Sequence, residues 1–150
     1  MRVIKEKFVS EIYKVVNNRI NEIEKEIKET NDSKKNESKS SAGDKYETGR
    51  EMIQQVLNNL ESQLNKYVQM KNDLDSINFD SKSDFVKAGS LIITNTDSFL
   101  ISIAVGKIKI EEMEVYAISI NSPIGNILKS KKINDVINFQ NRKIEIIDIQ

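Results

Sequence analysis

Neither cysteine nor histidine occurs anywhere in the sequence. Without cysteine there are no disulfides and no thiolate metal sites. Without histidine there is no imidazole base, so Ser-His-Asp and Cys-His catalysis are both excluded, and so is metal ligation by imidazole. Any chemistry must come from carboxylates, lysine, tyrosine or groups that a partner brings. An excess of either charge is also missing: 23 basic residues balance 23 acidic ones. That argues against bulk electrostatic attraction to free nucleic acid, a local patch aside. Long hydrophobic runs are absent too. Met1 to Val16 is broken by Lys5, Glu6, Lys7, Glu11 and Lys14. It has no apolar core of the signal-peptide kind, and no later run approaches a membrane span. The expected compartment is the cytoplasm, and 150 residues allow one or two small domains.

What is present begins with two long amphipathic patterns. From Val3 to Glu29, apolar residues fall at Ile4, Phe8, Ile12, Val15/Val16, Ile20, Ile23 and Ile27. Steps of three and four make a narrow stripe, the seam of a coiled coil. Neither proline nor glycine interrupts it, and Glu24 with Lys28 forms a favourable i,i+4 pair. A second helix is expected over Lys45 to Leu74, with its stripe at Ile53, Val56/Leu57, Leu60, Leu64, Tyr67/Val68 and Leu74. Gly49 near its start costs about 1 kcal/mol relative to alanine. Between the helices, Thr30 to Ser41 contains no apolar residue. It reads as a mobile connector, because it cannot bury enough surface to offset its ordering entropy. Stripes of similar length joined by one loop predict an antiparallel hairpin. Ile20, Ile23 and Ile27 should face Ile53, Val56 and Leu57 near its tip.

The period then changes. Ser90 to Thr94 and Ser98 to Ala104 read as strands around an Asn95-Thr96-Asp97 turn. Lys107 to Ile110, Met113 to Ile120, Asp135 to Phe139 and Lys143 to Ile149 follow as strands, with Asn141-Arg142 near the last turn. Ser122 suits a helix N-cap and Pro123, the only proline, suits the first helical position. The fold class is therefore α+β: an N-terminal helical hairpin over 1–76, a linker over 77–83, and over 84–150 a small, mostly antiparallel sheet domain with one short helix.

The joining stretch Ser40-Ser41-Ala42-Gly43-Asp44-Lys45-Tyr46-Glu47-Thr48-Gly49-Arg50-Glu51 carries the chemistry. Asp44 and Glu47 are three residues apart, a spacing that shares one helix face. Such a pair can hold a hard cation such as Mg²⁺, which takes oxygen ligands and keeps several waters. Asp-x-x-Glu is equally a capping box, with Asp44 at the N-cap and Glu47 at N3. Local sequence favours the cap.

A long hairpin with an acidic tip, followed by a small sheet domain, resembles the Gre transcript-cleavage factors of bacterial RNA polymerase. At the tip, Gly43-Asp44 and Glu47 match the family's Gly-Asp-x-x-Glu. Ile118-Ser119-Ile120-Asn121-Ser122-Pro123-Ile124-Gly125 looks like its strand, Ser-Pro corner and short helix. Asn134-Asp135-Val136 and the closing Ile144 to Ile149 strand also fit. The chain departs where the family continues Glu-Asn-x-Glu-Tyr, since it reads Glu47-Thr48-Gly49-Arg50-Glu51.

The resemblance implies an FKBP-like C-terminal domain that docks on the polymerase through residues around Ser122, Pro123 and Ile124. It implies a hairpin that enters the secondary channel, where Asp44 and Glu47 share a Mg²⁺ with the polymerase beside the nascent RNA 3′ end. On this reading the protein is not itself an enzyme. It stimulates its partner's RNA hydrolysis, and it has neither a membrane partner nor sequence-specific DNA binding. Other readings stay open: a secondary-channel inhibitor or regulator, a coiled-coil scaffold or dimerisation module, and, least supported, an independent isomerase.

Overall fold

The computed structural model describes the backbone of residues 2–37 and 43–150, and the side chains of 4–35 and 48–150. Two long helices come first, α1 (Arg2–Glu37) and α2 (Gly43–Asp75). Strands β1 (Leu91–Thr94), β2 (Ser98–Ile101), β3 (Gly106–Ile110) and β4 (Met113–Ile118) follow, then α3 (Pro123–Leu128), β5 (Val136–Phe139) and β6 (Arg142–Ile149). The molecule is α+β, as the sequence patterns predict. Chain contacts separate it into two compact units, Val16–Lys71 and Met1–Val15 with Asn72–Gln150.

In the unit Val16–Lys71 the two helices run antiparallel. Arg19 Nη2 donates to Gln63 Oε1 at 3.1 Å, whereas Lys34 Nζ, farther along α1, donates to Gln54 Oε1 at 2.8 Å, earlier on α2. Arg19 also lies over the Tyr67 ring, 5.8 Å from its centroid. Val16, Ile23, Leu57 and Leu60 are buried, and Ile20, Ile27, Ile53 and Leu64 are half-buried. Steps of four, three and four through Ile53, Leu57, Leu60 and Leu64 define the seam of α2. That stripe leaves Val56 outside, 48% exposed, contrary to the expected facing set.

The first two thirds of the expected mobile connector are helical, since α1 continues through Thr30 to Glu37. Residues 38–41 lie outside the described set. Nucleation is the costly step in a helix, and each added residue needs only propagation. The polar extension also has partners: Thr30 Oγ1 donates to the Glu26 carbonyl at 2.7 Å and Lys34 reaches Gln54. Lys34 and Lys35 in the last described turn suit the negative end of the helix dipole.

The other unit holds a six-stranded sheet in the order β3-β4-β2-β1-β6-β5. Neighbours are antiparallel except β2 and β4, which pair in parallel with Phe99 opposite Tyr116 and Ile101 opposite Ile118. Two expected strands are shorter than their apolar runs, ending at Ile101 and Ile118. The Ser102 amide instead bonds the Ile118 carbonyl at 2.7 Å. The last hairpin turns at Gln140-Asn141, both at positive φ, and Arg142 already belongs to β6.

One sheet face carries Ile92, Phe99, Ile101, Ile137, Ile144 and Ile146, packed with Ile124 and Leu128 of α3. Strand alternation puts Leu91 and Leu100 on the opposite face, and both are fully buried. That face therefore also has a cover. Phe8, Ile12 and Leu74 are buried apolar side chains of the same unit that belong to no strand. Lys5 is buried with them at 6% exposure, its Nζ donating to the Gln150 carbonyl at 3.1 Å.

Candidate functional site

The sequence-predicted residues fall on two elements. Asp44 and Glu47 are the second and fifth residues of α2, which opens at Gly43. Their side chains are outside the described residues. Their backbone positions, three apart in a helix, are on one helix face. Carboxylates in a first helical turn are also favoured by the positive end of the dipole, so the location suits these residue types with or without a cation.

Farther along the same unit is a feature that sequence reasoning missed. Asn31, Lys34 and Lys35 of α1 and Arg50 of α2 line a cleft of roughly 420 Å³. Among the described residues, three of the four lining side chains are cationic and none is a carboxylate. Lys34 is held by Gln54, whose Nε2 in turn donates to Asn58 Oδ1 at 2.9 Å. A concave, cation-lined notch concentrates anions, phosphates in particular. Its sequence signal is the pair of lysines at 34 and 35, within the expected connector. Its fourth member comes from the other helix.

The Ser-Pro corner is built by hydrogen bonds and close packing. Ser122 is the N-cap of α3, with extended backbone at φ −68° and ψ 161°. Its Oγ accepts the Gly125 amide at 3.0 Å and donates to the Ser119 carbonyl at 2.7 Å. Pro123 at the helix start needs no amide partner and is exposed, whereas Ile124 is buried in the core beneath α3. Gly125 has an ordinary φ, but a Cβ there would overlap the Ser119 carbonyl oxygen and lie 2.9 Å from Ser122 Oγ. The glycine of the motif is thus a packing requirement of the corner.

Ile124 also faces a small cleft of roughly 310 Å³, lined with Phe99, Tyr116, Phe139 and Ile144 and edged by Asp97 and Arg142. Phe99 and Tyr116 are tilted rings with centroids 6.1 Å apart, and Arg142 Nη2 lies 3.7 Å from Asp97 Oδ2. The cleft offers apolar and aromatic surface to one inserted side chain, with a charged pair at its rim. Among the described residues, no helix is long and apolar enough to cross a membrane.

No protein-family model matches the sequence, and no curated protein matches it. Among solved structures, the chain is similar to the GreA factor homolog 1 protein of Thermus thermophilus. The identity is 17%, the alignment covers 92% of this chain and 94% of that one, and the TM-score is 0.38.

Proposed function

We propose that this chain is a Gre-like transcription elongation factor. It binds bacterial RNA polymerase, inserts the head of its helix pair into the secondary channel and stimulates Mg²⁺-dependent cleavage of backtracked RNA, without being an enzyme on its own. The observation that carries this reading is the Gly43-Asp44-x-x-Glu47 set at the start of one of two antiparallel helices. Two carboxylates are the hard oxygen donors that Mg²⁺ takes. They are too few to complete its shell, so the polymerase would supply the rest. A Mg²⁺ held there supplies Lewis-acid polarisation and a more acidic bound water. Asp44 and Glu47 hold and place the charge, and Arg50 lies on the same helix three residues beyond Glu47. Pro123, exposed on α3 beside the aromatic cleft, belongs to the docking surface.

The test is RNA cleavage on a backtracked elongation complex with purified bacterial core polymerase. Wild type should accelerate cleavage. Asp44→Asn and Glu47→Gln should each strongly reduce that acceleration while leaving polymerase binding intact, and raised Mg²⁺ should partly restore the single variants. Asn and Gln fit the start of a helix nearly as well as Asp and Glu, so silent variants mean that the pair serves only the helix terminus. Full activity in the double variant rules out the metal role. Absence of polymerase binding by wild type leaves the helix pair as a scaffold or dimerisation element.

A second reading, an inhibitor or regulator of the same channel, rests on Thr48-Gly49-Arg50-Glu51, which replaces the Asn-x-Glu-Tyr of the family and turns Arg50 to the cation-lined cleft. Wild type that binds polymerase but slows cleavage selects this reading.

A further inference from the structure

The sheet has two edges of different chemistry. At one edge, β3 carries Lys107 and Lys109, both exposed, a pattern that keeps edge strands from pairing with other chains. At the other edge, β5 reads Val136-Ile137-Asn138-Phe139, without charge, proline or glycine. Its partners on β6 are Glu145, Ile144, Lys143 and Arg142 in turn. Opposite residues of an antiparallel ladder alternate between bonded and non-bonded pairs. The two-residue turn makes Phe139–Arg142 a bonded pair. Two steps beyond Ile137, the Ile146 amide donates to the Asp135 carbonyl at 3.0 Å, in the same phase. Ile137 and Phe139 therefore bond β6, and the backbone amides and carbonyls of Val136 and Asn138 point away from the sheet. Val136 is 56% exposed, and Ile147, its diagonal neighbour, is 52% exposed.

We propose that this edge pairs with β5 of a second copy of the chain, antiparallel about a twofold axis at Ile137, to form one continuous sheet across two protomers. The charge order along the edge fits this occupant. Lys143 flanks the Asn138 end of the edge, and Glu145 flanks the Val136 end. An antiparallel second copy sets Val136 opposite Asn138 of the other protomer, so the acidic end of each edge meets the basic end of its mate. A parallel arrangement would bring like ends together. The interface is isologous, closing on itself without further growth. Each Val136–Asn138 pair exchanges two backbone hydrogen bonds. An edge this short belongs to the weak, concentration-dependent class of contact.

Analytical ultracentrifugation of the full chain tests the proposal. From roughly 10 µM to 1 mM, the weight-average mass of wild type should rise from the 17.2 kDa of one chain towards twice that value. Asn138→Pro removes an amide that bonds nothing within its own sheet, so it should weaken association by about tenfold or more with little change in melting temperature. Val136→Lys places a charge on the edge and should act likewise, and it serves if the proline variant fails to fold. Wild type that stays monomeric throughout the range overturns the proposal. So does a dimer that folded forms of these variants leave intact.

Discussion

The Tyr13 hydroxyl donates to Asp75 Oδ1 at 2.6 Å. Burial, this hydrogen bond and the Asp75 charge together push the phenol up to about 12 from its ordinary 10.0. Its folded state holds the proton longer than the unfolded chain does. Its contribution to stability is therefore complete below pH 10 and lost as pH rises through 10 to about 12. Absorbance titration of the tyrosinate should show a late-ionising component from Tyr13, and Asp75→Asn should lower its midpoint. Lys5 runs the other way. Burial holds its ammonium below the usual lysine value, against the pull of Asp80, so its contribution rises as pH climbs towards 10.5. At the α3 corner, Ser122→Ala should cost about 0.5–2 kcal/mol through the lost cap. Gly125→Ala should cost about 1–3 kcal/mol by overpacking against Ser119. Urea midpoints at constant slope measure both. The cap was legible in the sequence because Ser-Pro has a local signature. The reason for Gly125 was not, since the oxygen it avoids belongs to a residue on the other side of the corner.

Among the elements, the seam of α2 separates neighbours that the sequence groups together. Leu57→Ala should lower stability by about 2–5 kcal/mol, whereas Val56→Ala, one position round the helix, should stay within about 0.5 kcal/mol. Thermal melts followed by circular dichroism distinguish them. The existence of both long helices was readable from a stripe repeating every three and four residues. Their partner side was less so, because adjacent valine and leucine fit the same pattern until the facing helix fixes the rotation. The polar tail of α1 is helical against its composition, because extending a helix already nucleated costs little. Strands were visible from alternation and turn chemistry. The parallel pairing of β2 with β4 was not, since a pairing direction is a property of two segments, and neither carries it alone. The cation-lined cleft is likewise a property of two segments, α1 and α2.

At the scale of the molecule, one compact unit is continuous in sequence and the other is not. Val16–Lys71 is a single segment, whereas the sheet unit joins Met1–Val15 to Asn72–Gln150. The Lys5–Gln150 hydrogen bond spans 145 positions. Contacts so distant are slow to form, because a long loop must close before they contribute. During synthesis the helix pair can assemble as soon as it emerges, while Phe8 and Ile12 wait for the rest of their own unit, in which the inner strand β6 is the last made. Pulse-labelling hydrogen exchange on refolding protein should therefore find amides of 16–71 protected before those of β1 and β6, and simultaneous protection would refute this order. In the interval, the first turns of α1 present an apolar stripe without its cover, the part of the newborn chain most in need of a chaperone.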